Sequence, residues 1–117
     1  MSKFFVTFSM PAATVQKWME TVDEATRKEQ TENMMQEWND WMTAHASQIV
    51  DKGLPLGKTK RVDASGVSDT KNELNWYLIV EADSHDAAAQ LFVDHPHIKM
   101  IPDTYVEVMT TAGPANS

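Results

Sequence analysis

A histidine and an aspartate that are neighbours near the C-terminal end of the chain have side chains suited to proton transfer. His95 follows a predicted helix and precedes Pro96, and Asp94 could orient it or form a charge pair with it. An imidazole titrates near neutral pH, so it can act as a general acid or base. We therefore predict catalytic roles for His95 and Asp94, with Glu81 or Glu107 as alternatives to the aspartate. The alternative for His95 is structural, because a protonated histidine is favourable at a helix C-terminus.

A second histidine shares one face of a predicted helix with large apolar side chains. Trp38, Trp41 and Met42 precede His45 at the spacing of one helix face. The stripe either belongs to the core or lines a pocket for a flat apolar ligand. His45 is accordingly either a polar group of that pocket or a core histidine with a local hydrogen bond.

A basic side chain on a predicted strand completes the candidate site. Arg61 either holds a substrate carboxylate or is a solvated strand charge, and the same alternatives apply to Lys58. We predict a small organic ligand for this site. The predicted substrate-binding residues are Trp41, His45, Arg61, Trp76 and Tyr77.

The sequence lacks the residues and motifs that several kinds of chemistry require. The chain has no cysteine, which excludes disulfides and thiolate chemistry. His45, His95 and His97 lack a strong metal-ligand spacing, and no carboxylate motif completes them. There is no phosphate-binding loop, no Ser-His-Asp pattern and no dinucleotide fingerprint. We therefore predict neither a metal nor another cofactor.

The charge balance and the apolar runs limit the partners and the location. The net charge is −7, from 17 acidic and 10 basic residues, which opposes nucleic-acid binding. The basic cluster Lys58, Lys60 and Arg61 is too small to reverse this argument. No run approaches the roughly 20 apolar residues of a membrane span, and the N-terminus lacks the features of a secretory signal. These observations predict a cytoplasmic protein without membrane contact.

Alternating side chains predict four strands, separated by helical and polar segments. The polar residues 63–71 are predicted to connect the second strand to the third, and residues 95–104 to form a loop. The predicted strands are residues 4–9, 54–62, 74–81 and 105–109.

Apolar residues at helical spacing predict two helical regions. The first begins after Pro11, is clearest from about Thr31 to Lys52, and leaves open whether it is one helix or two. The second begins after Ser84, whose hydroxyl can cap it, and stops at His95, because the following proline disfavours helical geometry there.

This β-α-β-β-α-β order predicts the α+β class, as a ferredoxin-like fold with a four-stranded antiparallel sheet. We assign residues 1–110 to a single domain and residues 111–117 to a loose tail. In the third strand, Tyr77 and Ile79 make the second face apolar as well. A second copy of the sheet is the simplest cover for that face, so we predict a homodimer through the sheet faces.

Four segments resemble the YCII-related (DGPF-domain) family of the dimeric α+β barrel superfamily, in order along nearly the whole chain. Two features depart from the family pattern: Asp63-Ala64-Ser65-Gly66-Val67 replaces the Asp-Gly-Pro-Phe signature, and Asn75-Trp76 replaces small residues. The segments are GLPLGKTKRV (Gly53–Val62), NELNWYLIVEADS (Asn72–Ser84), AAAQLFVDHPHI (Ala87–Ile98) and YVEVM (Tyr105–Met109).

The resemblance implies a dimeric α+β barrel and indicates the chemistry only broadly. Relatives in the superfamily include small-molecule isomerases, dehalogenating enzymes and monooxygenases, and a shared fold does not determine function. The first hypothesis is a cofactor-independent enzyme of isomerase or lyase type, in which His95 transfers a proton. The second is a non-catalytic module that binds a small ligand.

Overall fold

The computed structural model describes residues 1–112, which form an α+β fold with one four-stranded antiparallel sheet and a separate two-stranded hairpin. Residues 113–117, most of the predicted loose tail, lie outside the described residues. In chain order the elements are β1 (Ser2–Ser9), α1 (Ala12–Thr21), α2 (Glu24–Ala44), a 3-10 turn (Ala46–Gln48), β2 (Ile49–Asp51), β3 (Thr59–Asp63), β4 (Gly66–Thr70), β5 (Leu74–Ala82), α3 (His85–Gln90), α4 (Pro96–Met100) and β6 (Tyr105–Thr110).

The main sheet has the order β2-β5-β1-β6, with β1 and β5 at its centre. Val6 lies opposite Leu78 on one side and Val108 on the other. Because side chains alternate along each strand, this register places the apolar residues of three strands on the same face. The predicted fold class is confirmed, and three of the four predicted strands occur where the alternation indicated.

The core lies between this face of the sheet and the helices α2 and α3. Phe8 and Leu78 are fully buried, and Trp41 and Phe92 pack on them from the helical side. Only the C-terminal half of α2 reaches the sheet, since Trp41 is its one buried residue. On the other face, Phe5 and Met109 are register partners that remain 37% and 40% exposed.

The predicted first helical region consists of two helices that meet at Val22 and Asp23. Both residues have extended backbone, so α1 ends before α2 begins. The Arg27 side chain donates to the carbonyls of Met19 and Val22 at 2.8 and 2.9 Å. These bonds satisfy carbonyls left unpaired at the end of α1, and they explain a break without glycine or proline.

The predicted extension of the long helix to Lys52 is wrong. The helix α2 ends at Ala44, and Ile49 pairs with Val80 in an edge strand. Ile49 fits the helical spacing, but its β-branched side chain also suits a strand that packs on the core. Pairing with β5 selects the strand over the helix. The spacing of residues in the sequence does not show which strand a segment pairs with.

The prediction of residues 54–62 as the second sheet strand is wrong for the main sheet. Thr59–Asp63 pairs instead with Gly66–Thr70, a stretch predicted as a connection. The Asp63 carboxylate accepts from the backbone N–H of Ser65 at 2.8 Å, which supports the tight turn between the strands. We call residues 54–71 the hairpin arm.

The segment after β5 begins as predicted and ends differently. The Ser84 hydroxyl accepts from the backbone N–H of Ala87 at 3.0 Å, which confirms the predicted cap. However, α3 ends at Gln90, and Pro96 begins α4 instead of ending a helix. Proline is favourable at the first helical position because it lacks an N–H that would be unpaired there. None of the helices among residues 1–112 is long and apolar enough to cross a bilayer.

Gly53 lies directly against the backbone of the strand β5. We therefore expect Gly53→Ala to destabilise the fold by about 2–4 kcal/mol. Its φ is +69°, and a Cβ there would lie 1.6 Å from the Tyr77 carbonyl oxygen. Backbone strain and a clash with backbone therefore act together. Urea unfolding measures the effect. Gly57→Ala is the matched control, because a Cβ at Gly57 meets nothing within 4 Å; equal losses for the two variants would contradict this explanation.

Candidate functional site

A hollow of about 330 Å³ opens between the C-terminal end of α2 and the helix α3. The end of α2 contributes an indole and an imidazole, and α3 with the turn after it contributes an amide and a carboxylate. The hollow thus combines one aromatic side, formed by Trp41 and His45, with polar groups from Gln90 and Asp94. The lining residues are Trp41, His45, Ala87, Gln90, Leu91 and Asp94.

His45 occupies the C-cap of α2 and has a defined tautomer. Its Nδ1 lies 2.9 Å from the Trp41 carbonyl oxygen, which can only accept, so Nδ1 carries the proton. The imidazole also stacks on the Trp41 indole, with 4.2 Å between centroids and 25° between planes. In the neutral ring the lone pair is therefore on Nε2, the atom that a general base uses.

Asp94 lines the same hollow from the turn that follows α3. The sequence paired this carboxylate with the adjacent His95, but the two side chains share no hydrogen bond among the described residues. Asp94 is exposed, whereas His95 is buried. The fold thus brings Asp94 to the same cavity as His45, a residue 49 positions earlier in the chain.

His95 lies behind the wall of the hollow and is fully buried. Its Nδ1 accepts from the backbone N–H of His97 at 3.0 Å, so it caps the N-terminus of α4 and not the C-terminus of a helix. Its ring centroid is 4.6 Å from that of Trp38 and 4.5 Å from that of Trp41. Its Nε2 has no hydrogen-bond partner among residues 1–112.

The surroundings of His95 keep it neutral. Burial, together with the charges that His97 and His45 can carry, lowers the pKa of His95 to about 3. With Nδ1 accepting, the one ring proton is on Nε2. A neutral ring with so low a pKa is a weak base, so the proton-transfer role predicted for His95 stays a prediction that this burial disfavours.

His97 is a second buried histidine, and the sequence suggested no structural role for it. Its Nε2 donates to the Ser9 carbonyl at 2.8 Å, which ties the start of α4 to the end of β1. Burial lowers the pKa of His97, and the hydrogen bond to Ser9 opposes that shift in part. Both histidines therefore form part of the packing between the α4 segment and the sheet.

Three predicted binding residues lie away from the hollow. Arg61 is on the hairpin arm and pairs with Asp63 at 3.1 Å. Trp76 packs on Trp38 at 5.5 Å, and Tyr77 stacks on Phe5 on the other face of the sheet. Their binding roles stay predictions, and one chain alone does not bring them together with His45.

Three residues that line the hollow, Ala87, Gln90 and Leu91, were not predicted as site residues. Ala87 and Leu91, and likewise Gln90 and Asp94, are separated by four positions and so lie along one side of the segment. That spacing was a signal from which these residues could have been predicted to share one surface. Within residues 1–112, no three His, Asp or Glu side chains are grouped so that they could hold a metal ion.

No protein-family model and no curated protein sequence matches the chain. Among solved structures, it is similar to 5-chloro-2-hydroxyhydroquinone dehydrochlorinase from Burkholderia phenoliruptrix, in complex with 2,5-dihydroxybenzoquinone. The TM-score is 0.52 with 18% sequence identity, over 98% of this chain and 99% of the other. A likeness at this identity shows a shared fold.

Proposed function

We propose that the hollow binds a small planar organic molecule and that His45 moves a proton on it, without a cofactor. The observation that carries this proposal is the hydrogen bond from His45 Nδ1 to the Trp41 carbonyl, at 2.9 Å. It leaves the Nε2 lone pair available on a residue that lines an open cavity. The proposed activity is of isomerase or lyase type.

The other residues of the hollow support this chemistry. His45 Nε2 accepts a proton from a C–H or O–H group of the ligand, and the Asp94 carboxylate stabilises the resulting imidazolium. In an isomerisation the proton returns to a different ligand atom while the electron pair shifts, so no co-reactant is required. His95 behind Trp41 keeps the aromatic wall in place.

The structural neighbour supports the choice of ligand class. That protein is named as a dehydrochlorinase and was captured with a dihydroxybenzoquinone, a flat ring with oxygen substituents. An aromatic wall suits a flat ring, and neutral or cationic imidazole suits its oxygens. We further propose that the chain is a divergent YCII-related protein, as its sequence motifs suggest.

We also propose a homodimer through the sheet faces, supported by the surface of the single chain. Its accessible surface is 8149 Å² for 13.2 kDa, whereas a folded monomer of that mass exposes about 6,400 Å². Its radius of gyration is 16.2 Å, against about 13 Å for a compact chain of this length. The excess of about 1,700 Å² lies within the range that one subunit of a stable dimer buries.

The alternative function is a non-catalytic module that binds a small ligand. The openness of the hollow favours it, because a site that admits water gains less from electrostatic stabilisation of charge. A binding module would give saturable binding without chemical change. Product formation separates the two proposals.

A ligand screen tests the proposal directly. Hydroxylated quinones, phenols, lactones and small carboxylic acids are added to the protein, and the midpoint of thermal unfolding is measured. A ligand at 100 times its dissociation constant stabilises the native state by about 2.7 kcal/mol, which raises the midpoint by several degrees. Mass spectrometry of the same mixtures then detects any product.

Two carboxylate variants locate the binding site in that screen. Asp94→Asn should reduce the shift caused by a binding compound, because the carboxylate lines the hollow. Asp86→Asn, in the first turn of α3 but outside the hollow, is the control and should respond as the parent does. If no compound stabilises the parent, or if both variants respond alike, the proposed site is wrong.

A further inference from the structure

The hairpin arm extends from the body of the chain, and among the described residues the hydrogen bonds that join the two lie at its base. Its strands β3 and β4 pair with each other and with no strand of the main sheet. At the base, Pro55 forms an isolated bridge with Trp76, and the Leu56 N–H donates to the Asn75 carbonyl at 3.0 Å. Every residue from Lys60 to Glu73 is exposed.

The arm presents apolar side chains to solvent. Val62 and Val67 are cross-strand partners near the tip, and they are 75% and 67% exposed. Leu54, at the base, is 65% exposed. A two-stranded hairpin on its own is marginally stable in water, so this arm requires a surface that covers its apolar side chains.

The charge of the arm indicates what that surface is. Residues 54–71 contain four Lys or Arg residues and two Asp residues, a net charge of +2, so the rest of the chain carries −9. A basic arm on an acidic body is complementary to the body of another molecule of the same kind. The excess accessible surface of the single chain is also what a second copy would cover.

We propose that the hairpin arm of one copy packs against the acidic body of a second copy, with Val62 and Val67 buried in the contact. This inference rests on the homodimer of the proposed function and adds an arm contact to the sheet-face contact. The arm contact is electrostatic as well as apolar, and its affinity therefore decreases as salt concentration rises.

A spin label on the arm and the dimer dissociation constant together test the proposal. Because the chain has no cysteine, Ser65→Cys at the tip accepts a single label, and Glu32→Cys on α2 provides a reference site. Analytical ultracentrifugation measures the dissociation constant. The expected result is a dimer in which the label at the tip is immobilised.

Substitutions on the two faces of the hairpin give a matched comparison. Val62→Asp with Val67→Asp should raise the dissociation constant about tenfold to a hundredfold and free the label, since burial of each valine contributes about a factor of ten. Ser68→Asp with Thr70→Asp adds the same charge on the opposite face of the hairpin and should change the constant much less.

The outcomes separate the arm contact from the dimer itself. In one outcome the protein forms a dimer in which the label is mobile and the dissociation constant does not respond to the valine substitutions. That result overturns the arm contact but leaves the sheet-face dimer intact. Equal weakening by both pairs of substitutions overturns the burial of Val62 and Val67 in the contact, since the added charge alone would then explain the effect. A chain that stays monomeric at all concentrations overturns both the arm contact and the homodimer.

Discussion

Acidification below pH 6.5 is expected to destabilise this protein steeply because of His95. Burial lowers the pKa of His95 to about 3 in the folded state, whereas the unfolded chain has the ordinary value of 6.5. Between these two values the unfolded state binds a proton that the folded state does not, so the free energy of unfolding falls as pH falls. Above pH 6.5 the contribution of His95 to the free energy of unfolding is constant. The pKa of His97 is also lowered, so His97 adds to the loss of stability at low pH.

The expected size of the effect is large compared with typical stabilities. At about 1.4 kcal/mol per pKa unit, His95 alone removes up to about 3 kcal/mol between pH 6.5 and pH 4. Urea unfolding at a series of pH values measures it. His95→Asn keeps a side-chain acceptor for the α4 cap but does not titrate, so its free energy of unfolding should be lower at pH 7 and should vary less with pH.

A surface histidine provides the control for this experiment. His85 is exposed, and its Nε2 donates to the Val108 carbonyl oxygen at 2.7 Å. His85→Gln should retain the steep pH dependence of the parent. If the parent and His95→Asn lose stability in parallel between pH 6.5 and pH 4, then protonation of His95 is not the cause of acid lability.

Replacement of His45 by glutamine is expected to reduce turnover of a substrate by about 10²–10⁴, the usual contribution of a general base. The glutamine amide N–H can keep the hydrogen bond to the Trp41 carbonyl, which His45 Nδ1 makes at 2.9 Å. What the variant lacks is the Nε2 lone pair. The loss should therefore appear in kcat, with substrate affinity changed only a few-fold.

Comparison with the other histidines makes the assignment specific. His85→Gln should turn over substrate at the parental rate, and His95→Asn should do so at pH 7 if it remains folded. A fully active His45→Gln combined with an inactive but folded His95→Asn would reverse the assignment. His95 would then be the proton carrier, as the sequence suggested, and the structure would have to open to expose it.

The strands with clear alternation were predictable because alternation is a local property. Phe4, Val6 and Phe8 recur at every second position, and they form one buried face of β1. Ser84 was predictable as a helix cap for a similar reason, since its partner is three residues away. Such features depend on neighbours in the chain, and the sequence states those neighbours directly.

Ile49 and Pro96 show where local patterns are ambiguous. Ile49 fits a helical stripe, but its pairing with Val80 places it in a strand. Pro96 fits both the end of one helix and the start of the next. In the structure it begins α4, and the preceding His95 packs among aromatic rings. In each case a contact with a distant residue selects one of two locally acceptable conformations.

The candidate site shows the same division between local and distant information. By itself the sequence determined the residue types available for chemistry, the acidic charge, the absence of thiols and the α+β order of elements. Only the tertiary structure decided that Asp94 and His45 line one hollow while His95 is buried behind it. The physical reason is that side-chain direction at a loop or helix end depends on which surfaces pack together, and packing joins residues far apart in the chain.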